Sequence, residues 1–425
     1  MISIGIDVSK SKSTVAALGF GKELIFKPFN IYHVKNDVSK LIGKIKSLDE
    51  DVKIVMEATE IYHIPILISL VNEGFFVSVI NPLKMKRFCQ ALSFRNVKTD
   101  KKDAIHIAEY GLMNWNDLIE YKEDKEEYVR LKQLNRSYQH YQKIRINHLN
   151  YLDKEIEKRH PGLKKLIPHA NGNYQKDKLI DFVEKWSSSE KILKRSQEQF
   201  VNDYEKWAKK KGYHPNAQKA IIIYQNALES IPTISSSNSK IDANVLDSIE
   251  FLRVINKTLN NILSQMKEIS TELEEYKIAK EFSGIGEKLA IQITAEIGDI
   301  RKYKNKKSLI SFAGIDSPPY QSGNFSAKQR KISKRGNPIL RKVLYMAILC
   351  MKKAKDETNP VYKYIIKKER EGKAKKVSNI AGINKFLRIY YAKVMEEKAR
   401  KNYKKLHKKI EKKAQTRGLI SYGQI

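Results

Sequence analysis

Cysteine is almost absent from this 425-residue chain, which has only Cys89 and Cys350. Two lone thiols without paired spacing exclude a disulfide scaffold and a cysteine-based zinc site, and they suit a reducing compartment. Long apolar runs are missing as well. No stretch approaches the roughly 18–20 residues that a membrane span needs, although hydrophobic residues make up 41%, enough for packed cores. The chain opens on Met1-Ile2-Ser3-Ile4-Gly5-Ile6-Asp7 with neither a basic n-region nor a cleavable apolar segment, so a cytoplasmic protein without a secretory leader is expected. Acidic charge is scarce, above all in the last third. Overall 81 Lys+Arg face 48 Asp+Glu, a net charge of +33. Residues 1–115 hold 16 basic and 12 acidic side chains (net +4), whereas residues 281–425 hold 36 and 12 (net +24). An excess concentrated there points to a polyanion-binding surface, and without a membrane signal the polyanion expected is nucleic acid.

The fold class expected is α/β plus all-α. Residues 1–115 read as strand (Ile2–Ile6), strand (Thr14–Phe20), strand (Leu24–Phe29), helix (Val38–Ile45), strand (Val52–Met56), helix (Ile61–Val71), strand (Phe75–Ile80) and helix (Lys101–Leu112). That is the element order of a ribonuclease-H-like domain. Residues 116–280 are rich in Lys, Glu, Gln and Leu, with helical spacing in Tyr128–Tyr151, Leu179–Trp207 and Val245–Tyr276, as in helical hairpins or a coiled-coil arm. Residues 281–351 form a third unit. In it, Gly284-Ile285-Gly286 has the spacing of a helix-hairpin-helix turn whose glycines let backbone N–H groups approach a phosphate, or of a plain helix cap. Ser311–Gly323 reads as a loop, and a densely basic stretch precedes an apolar helix at Leu340–Met351. Residues 352–425 read as a Lys-rich helical extension, either solvated or in contact with nucleic acid.

Four acids in the first unit stand where they can converge. Asp7 closes the first strand, Glu57 closes or follows the fourth, and Asp100 and Asp103 share one face of a helix's first turn. Strand C-termini of an open α/β sheet meet at one edge, and a hard cation such as Mg²⁺ takes oxygen ligands of this type. Alternatively, Asp100 is an ordinary N-cap and Asp103 a surface charge.

The motifs themselves resemble a known family. Gly5-Ile6-Asp7-Val8-Ser9-Lys10, Glu57-Ala58-Thr59, Asn81-Pro82 and Lys98-Thr99-Asp100-Lys101-Lys102-Asp103-Ala104 are similar, in order and spacing, to the DEDD transposases of a large bacterial insertion-sequence family. The same holds for Gly284-Ile285-Gly286, Phe312-Ala313-Gly314-Ile315-Asp316, Gln321-Ser322-Gly323 and Ile332-Ser333-Lys334-Arg335-Gly336-Asn337 with Leu340-Arg341. The resemblance covers roughly residues 1–115 and 280–350. It implies a RuvC-like domain, a coiled-coil arm and a small helical transposase domain. It also implies a DNA recombinase in which Asp7, Glu57, Asp100 and Asp103 hold Mg²⁺ (or Mn²⁺) and Ser322 is the nucleophile. The partners implied are target and donor DNA, a structured non-coding bridge RNA, and further copies of the chain in a dimer or tetramer with a composite active site; when acting, the protein would sit on the nucleoid. Lys334, Arg335 and Arg341 would then neutralise phosphates, and Gly323 and Gly336 would permit close backbone approach. Chemistry alone does not separate Ser322 from the serines at 311, 317, 326 and 333; the motif does. One departure stands out: where the family usually has glycine after Glu-Ala-Thr, this chain has Glu60, a fifth acid of open role.

Two other readings fit the same residues. A RuvC-type nuclease would use the four acids to activate water without Ser322, and a non-catalytic nucleic-acid scaffold would keep the carboxylates for structure. A tyrosine recombinase is disfavoured, since no Arg…His-x-x-Arg…Tyr arrangement accompanies the 22 tyrosines.

Overall fold

The structure, a computed structural model, describes residues 1–92, 99–170, 176–234, 239–318, 321–322, 325–326 and 331–416. It divides into two compact units, Met1–Glu123 and Asp124–Ile425.

In the first unit the strands are β1 (Ile2–Val8), β2 (Lys12–Leu18), β3 (Leu24–Tyr32), β4 (Val52–Glu57) and β5 (Val77–Ile80), and the helices are α1 (Lys35–Lys46), α2 (Ile64–Asn72), α3 (Pro82–Leu92) and α4 (Asp100–Met113). The sheet order is β3-β2-β1-β4-β5. The first three strands are antiparallel, while β4 and β5 run parallel to β1. That order and polarity are those of a ribonuclease-H-like sheet. Ile2, Ile4 and Ile6 of β1 and Ile54 and Met56 of β4 point into one core with Leu41, Ile45, Ile66, Leu67 and Leu70 of α1 and α2. The alternate residues face α4. Helix α3 is not anticipated by the sequence reading, in which Asn81-Pro82 only stops a strand. The same dipeptide starts the helix: Asn81 Oδ1 accepts the Leu83 N–H at 2.8 Å, and Pro82, lacking an N–H, costs nothing in the first turn.

The second unit is helical among its described residues apart from a short hairpin. It comprises α5 (Glu126–Arg159), α6 (Leu163–Leu166), α7 (Lys178–Lys185), α8 (Ser189–Leu193), α9 (Gln197–Lys210), α10 (Ala217–Glu229), α11 (Ser239–Ser270), α12 (Glu274–Lys280), α13 (Glu287–Ile297), α14 (Lys306–Ala313), β6 (Gln321–Ser322), β7 (Phe325–Ser326), α15 (Pro338–Ala354), α16 (Pro360–Arg370) and α17 (Lys375–Thr416). Where an arm is expected, α5 and α11 run antiparallel: Arg145 Nε donates to Asn256 Oδ1 at 2.8 Å, and His148 Nε2 lies 2.8 Å from the Ser248 carbonyl. One end of this hairpin (Leu152, Ile156, Val245, Ile249) is built into a small helical core with Phe182, Trp186, Phe200, Tyr204 and Trp207. The other end (Leu131, Tyr138, Leu259, Met266) belongs to the core formed by α12–α17.

Three expectations change. The helix read across Leu179–Trp207 is three helices, because Ser188 and Ser196 cap new starts, the latter with a full capping box to Gln199. Ser311–Gly323 is not all loop, since α14 runs to Ala313 and ends on Gly314 in the left-handed region. Residues 352–425 are not merely an extension: Val361, Ile365, Ile383, Phe386, Leu387, Tyr390 and Val394 are buried in the same core as α13 and α15. Lysines on the outer faces of α16 and α17 mask an apolar stripe at helical spacing.

Candidate active site

The acids of the first unit are placed by strand register and one helix. Ile6 pairs with Met56, so Asp7 and Glu57 stand side by side at the C-terminal ends of neighbouring parallel strands, whose spacing is about 4.8 Å. Both follow core-facing residues (Ile6, Met56) and therefore face α4. Along that face the packing is tight. A Cβ on Gly5 would collide with the Ala104 carbonyl and the Ala108 amide, and one on Gly111 with the Ser3 hydroxyl. Helix α4 thus runs antiparallel to β1, Gly111 over Ser3 and Ala104–Ala108 over Gly5. One step further along β1 is Asp7, and one step further along α4 is its first turn, with Asp100 and Asp103. Strand register and helix packing thus put the backbone positions of the four acids at one edge of the sheet.

Thr99 rather than Asp100 caps α4, its Oγ1 accepting the Lys102 N–H at 3.3 Å. The capping alternative for Asp100 is therefore replaced by a different contact: Lys12 Nζ lies 3.2 Å from Asp100 Oδ2. Beside the edge, burial pushes the Cys89 thiol pKa up, and the nearby charges of Asp103, Glu57 and Glu109 push it further. The nearness of Cys89 to these acids is not legible in the sequence, because it depends on α3, on which Cys89 lies. Among the described residues, no three acidic, histidine or cysteine side chains stand close enough to enclose an ion. The donor chemistry nevertheless fits a hard divalent cation, which usually takes one or two carboxylates and keeps its waters. Glu60 is exposed and has φ 41°, a left-handed conformation. That is a backbone conformation glycine adopts without steric cost.

In the second unit, the Phe312–Asp316 and Ser333–Asn337 motifs interlock. Gly314 (φ 65°) and Gly336 press backbone to backbone, and a Cβ on Gly336 would strike the Phe312 carbonyl and the Gly314 amide. The Asn337 N–H donates to Phe312 O at 2.7 Å, Lys334 N–H to Gly314 O at 3.0 Å, and Ser333 N–H to Asp316 O at 2.8 Å. Asn337 then caps α15 with Oδ1, while its Nδ2 donates to Glu296 Oε2 at 2.6 Å. Glu296 is fully buried and also receives Asn135 (2.7 Å) and Arg136 (2.9 Å) from α5. Lys334 and Arg335 are exposed. Arg341 instead turns inward, with Nη1 donating to the Ala313 and Gly336 carbonyls at 3.0 and 3.3 Å, so it braces the interlock. Gly284 (φ 89°) is needed for packing, since a Cβ there would strike the α15 backbone at Cys350 and Met351. Gly286 is exposed, with open space beside it at the start of α13. Ser322 pairs with Phe325 in a two-stranded hairpin; its side chain, and Gly323, lie outside the described residues.

Residues 4–161 match the sequence model of a transposase family of the DEDD, IS110 type, and residues 276–363 match that of the "Transposase IS116/IS110/IS902 family". Together they span more than half the chain, which belongs to that transposase family. The chain is also 25% identical, over 348 residues, to the "Pilin gene-inverting protein" of Moraxella bovis and to that of Moraxella lacunata, covering 81% of this chain and 80% of each relative. Among solved structures it is similar to RuvC of Thermus thermophilus, alone (12% identity, TM-score 0.23) and in complex with a Holliday junction substrate (10%, TM-score 0.22), each match covering 28% of this chain and 96% of RuvC. At such scores the fold of the first unit rests on its own strand order.

Proposed function

We propose that this chain catalyses site-specific DNA strand exchange for an insertion sequence through a covalent phosphoserine intermediate. The observation that carries the reading is the common edge of Asp7, Glu57, Asp100 and Asp103 in a chain whose two ends match transposase families. These four carboxylates would hold Mg²⁺, or Mn²⁺ in its place, which when bound supplies charge neutralisation at a phosphate and a lowered hydroxyl pKa.

A serine hydroxyl at its ordinary pKa is a weak nucleophile, and the last third of the chain has only His407 to offer as a local base. Activation of Ser322 is therefore assigned to the acidic edge, contributed in a homo-oligomer by another copy of the chain. Ser322 Oγ attacks a backbone phosphorus: the Oγ–P bond forms, one P–O bond of the DNA breaks, the serine proton passes to a base, and the leaving oxygen takes up a proton. The phosphoester energy is retained, so the reverse attack by a DNA hydroxyl rejoins a strand. Lys334 and Arg335 contact phosphates, while base pairing with a bound structured RNA selects donor and target sequences.

The test is covalent trapping. Denaturing gels of the protein incubated with donor and target DNA and its RNA are expected to show a protein–DNA adduct that disappears in Ser322→Ala and persists in Ser326→Ala. DNA cleavage unaffected by Ser322→Ala would replace this reading with that of a metal-dependent nuclease.

A further inference from the structure

The acidic edge carries its own counter-ion. The turn between β1 and β2 is tied by Ser9, whose N–H and Oγ both reach the Lys12 carbonyl at 3.0 and 2.7 Å. Antiparallel pairing continues directly from it, with Val8 opposite Ser13 and Asp7 opposite Thr14. Lys12 is therefore held at the same end of the sheet as Asp7. Its ammonium meets Asp100 Oδ2 at 3.2 Å, with both side chains open to solvent at 40% and 55%. We propose that Lys12 is a positioning residue, a tethered cation that competes with a divalent metal ion for the Asp100 carboxylate and so weakens metal binding at this edge. The inference rests on the metal-binding reading of the four acids.

The physical basis is direct. An ammonium that neutralises one of four neighbouring carboxylates reduces their mutual repulsion. A dication approaching the same oxygen must displace that ammonium and then lie next to it. In solvent-exposed surroundings both effects are modest and screened by salt. Removing the ammonium is therefore expected to tighten metal binding about three- to tenfold at low ionic strength, with the gain shrinking as salt is added. Lys12 takes no part in the core, so its replacement leaves the sheet intact. Arginine in its place keeps the charge.

The experiment measures Mn²⁺ binding to the full-length protein by the paramagnetic resonance of free Mn²⁺. Lys12→Gln is expected to lower the dissociation constant three- to tenfold and Lys12→Arg to leave it near the wild-type value. In an Asp100→Asn background, where the competed oxygen is gone, Lys12→Gln should bring little further gain. A dissociation constant in Lys12→Gln equal to or weaker than wild type overturns the proposal while leaving the metal reading standing. If Asp7→Asn and Glu57→Gln do not weaken Mn²⁺ binding by the wild-type chain, the metal reading itself falls, and this proposal falls with it.

Discussion

At the scale of single residues, the structure explains details that the motifs only name. Glu60 sits at φ 41°, where a side-chain-bearing residue pays a steric cost of about 1–2 kcal/mol that glycine avoids, less glycine's greater freedom in the unfolded chain. Glu60→Gly should therefore stabilise the first unit by up to about 1 kcal/mol, read as a rise in thermal midpoint. An unchanged or lower midpoint would mean that the Glu60 side chain contributes something the backbone argument omits. Asp7 and Glu57 were legible in the sequence because each ends a strand-like run. Arg341 was not: in sequence it is one more cation in a basic stretch, and only the folded chain shows it donating to the Ala313 and Gly336 carbonyls. The Asp100–Lys12 pair was equally hidden, because it joins a turn to a helix start 88 positions away.

At the scale of elements, helix α4 lies so close on β1 that Gly5 has no room for a methyl group. Gly5→Ala should cost about 1–3 kcal/mol, as overpacking of a tight contact does, and displace the first turn that carries Asp100 and Asp103. Denaturant melts of the variant check the first effect and Mn²⁺ affinity the second. In the small helical core, His169 bridges two elements: Nε2 is 2.6 Å from Asp153 of α5, and Nδ1 is 2.8 Å from Asp177, the N-cap of α7. Burial alone would lower the His169 pKa, but hydrogen bonds and charge from Asp177 and Asp153 outweigh it, and the net shift is upward. A group with a raised folded pKa stabilises fully below its unfolded value, here near 6.5, and loses that contribution as pH rises through the folded value. The thermal midpoint of this core should thus fall as pH is raised from about 6 to about 8.5, and His169→Gln should remove most of that fall. A variant with the wild-type pH slope would show that another group is responsible.

At the scale of the whole molecule, the basic excess of the last third is divided between core-forming helices and the lysine-rich run that begins at Lys404. Truncation after residue 351 would remove Val361, Ile365, Phe386, Leu387 and Tyr390 from the core they share with α13 and α15, and is expected to leave the second unit unfolded by circular dichroism. Truncation after residue 403 should keep the fold yet lower the salt dependence of DNA binding, because the cations of the run that begins at Lys404 are lost. An unchanged slope would assign those lysines to the solvent. No helix among the described residues is long and apolar enough to cross a membrane, in line with the hydropathy of the chain.

The sequence alone determined the local matters: where strands and most helices lie, which acids end them, and which motifs align with a transposase family. Each depends on residues a few positions apart, through alternation, helical spacing and capping. Only tertiary structure decided that four acids share one edge, that Lys12 reaches Asp100, that Arg341 faces inward and that a lysine-rich tail is half core. Those outcomes depend on strand register and on which face of a helix finds apolar neighbours, and both are set by packing between segments far apart in the chain.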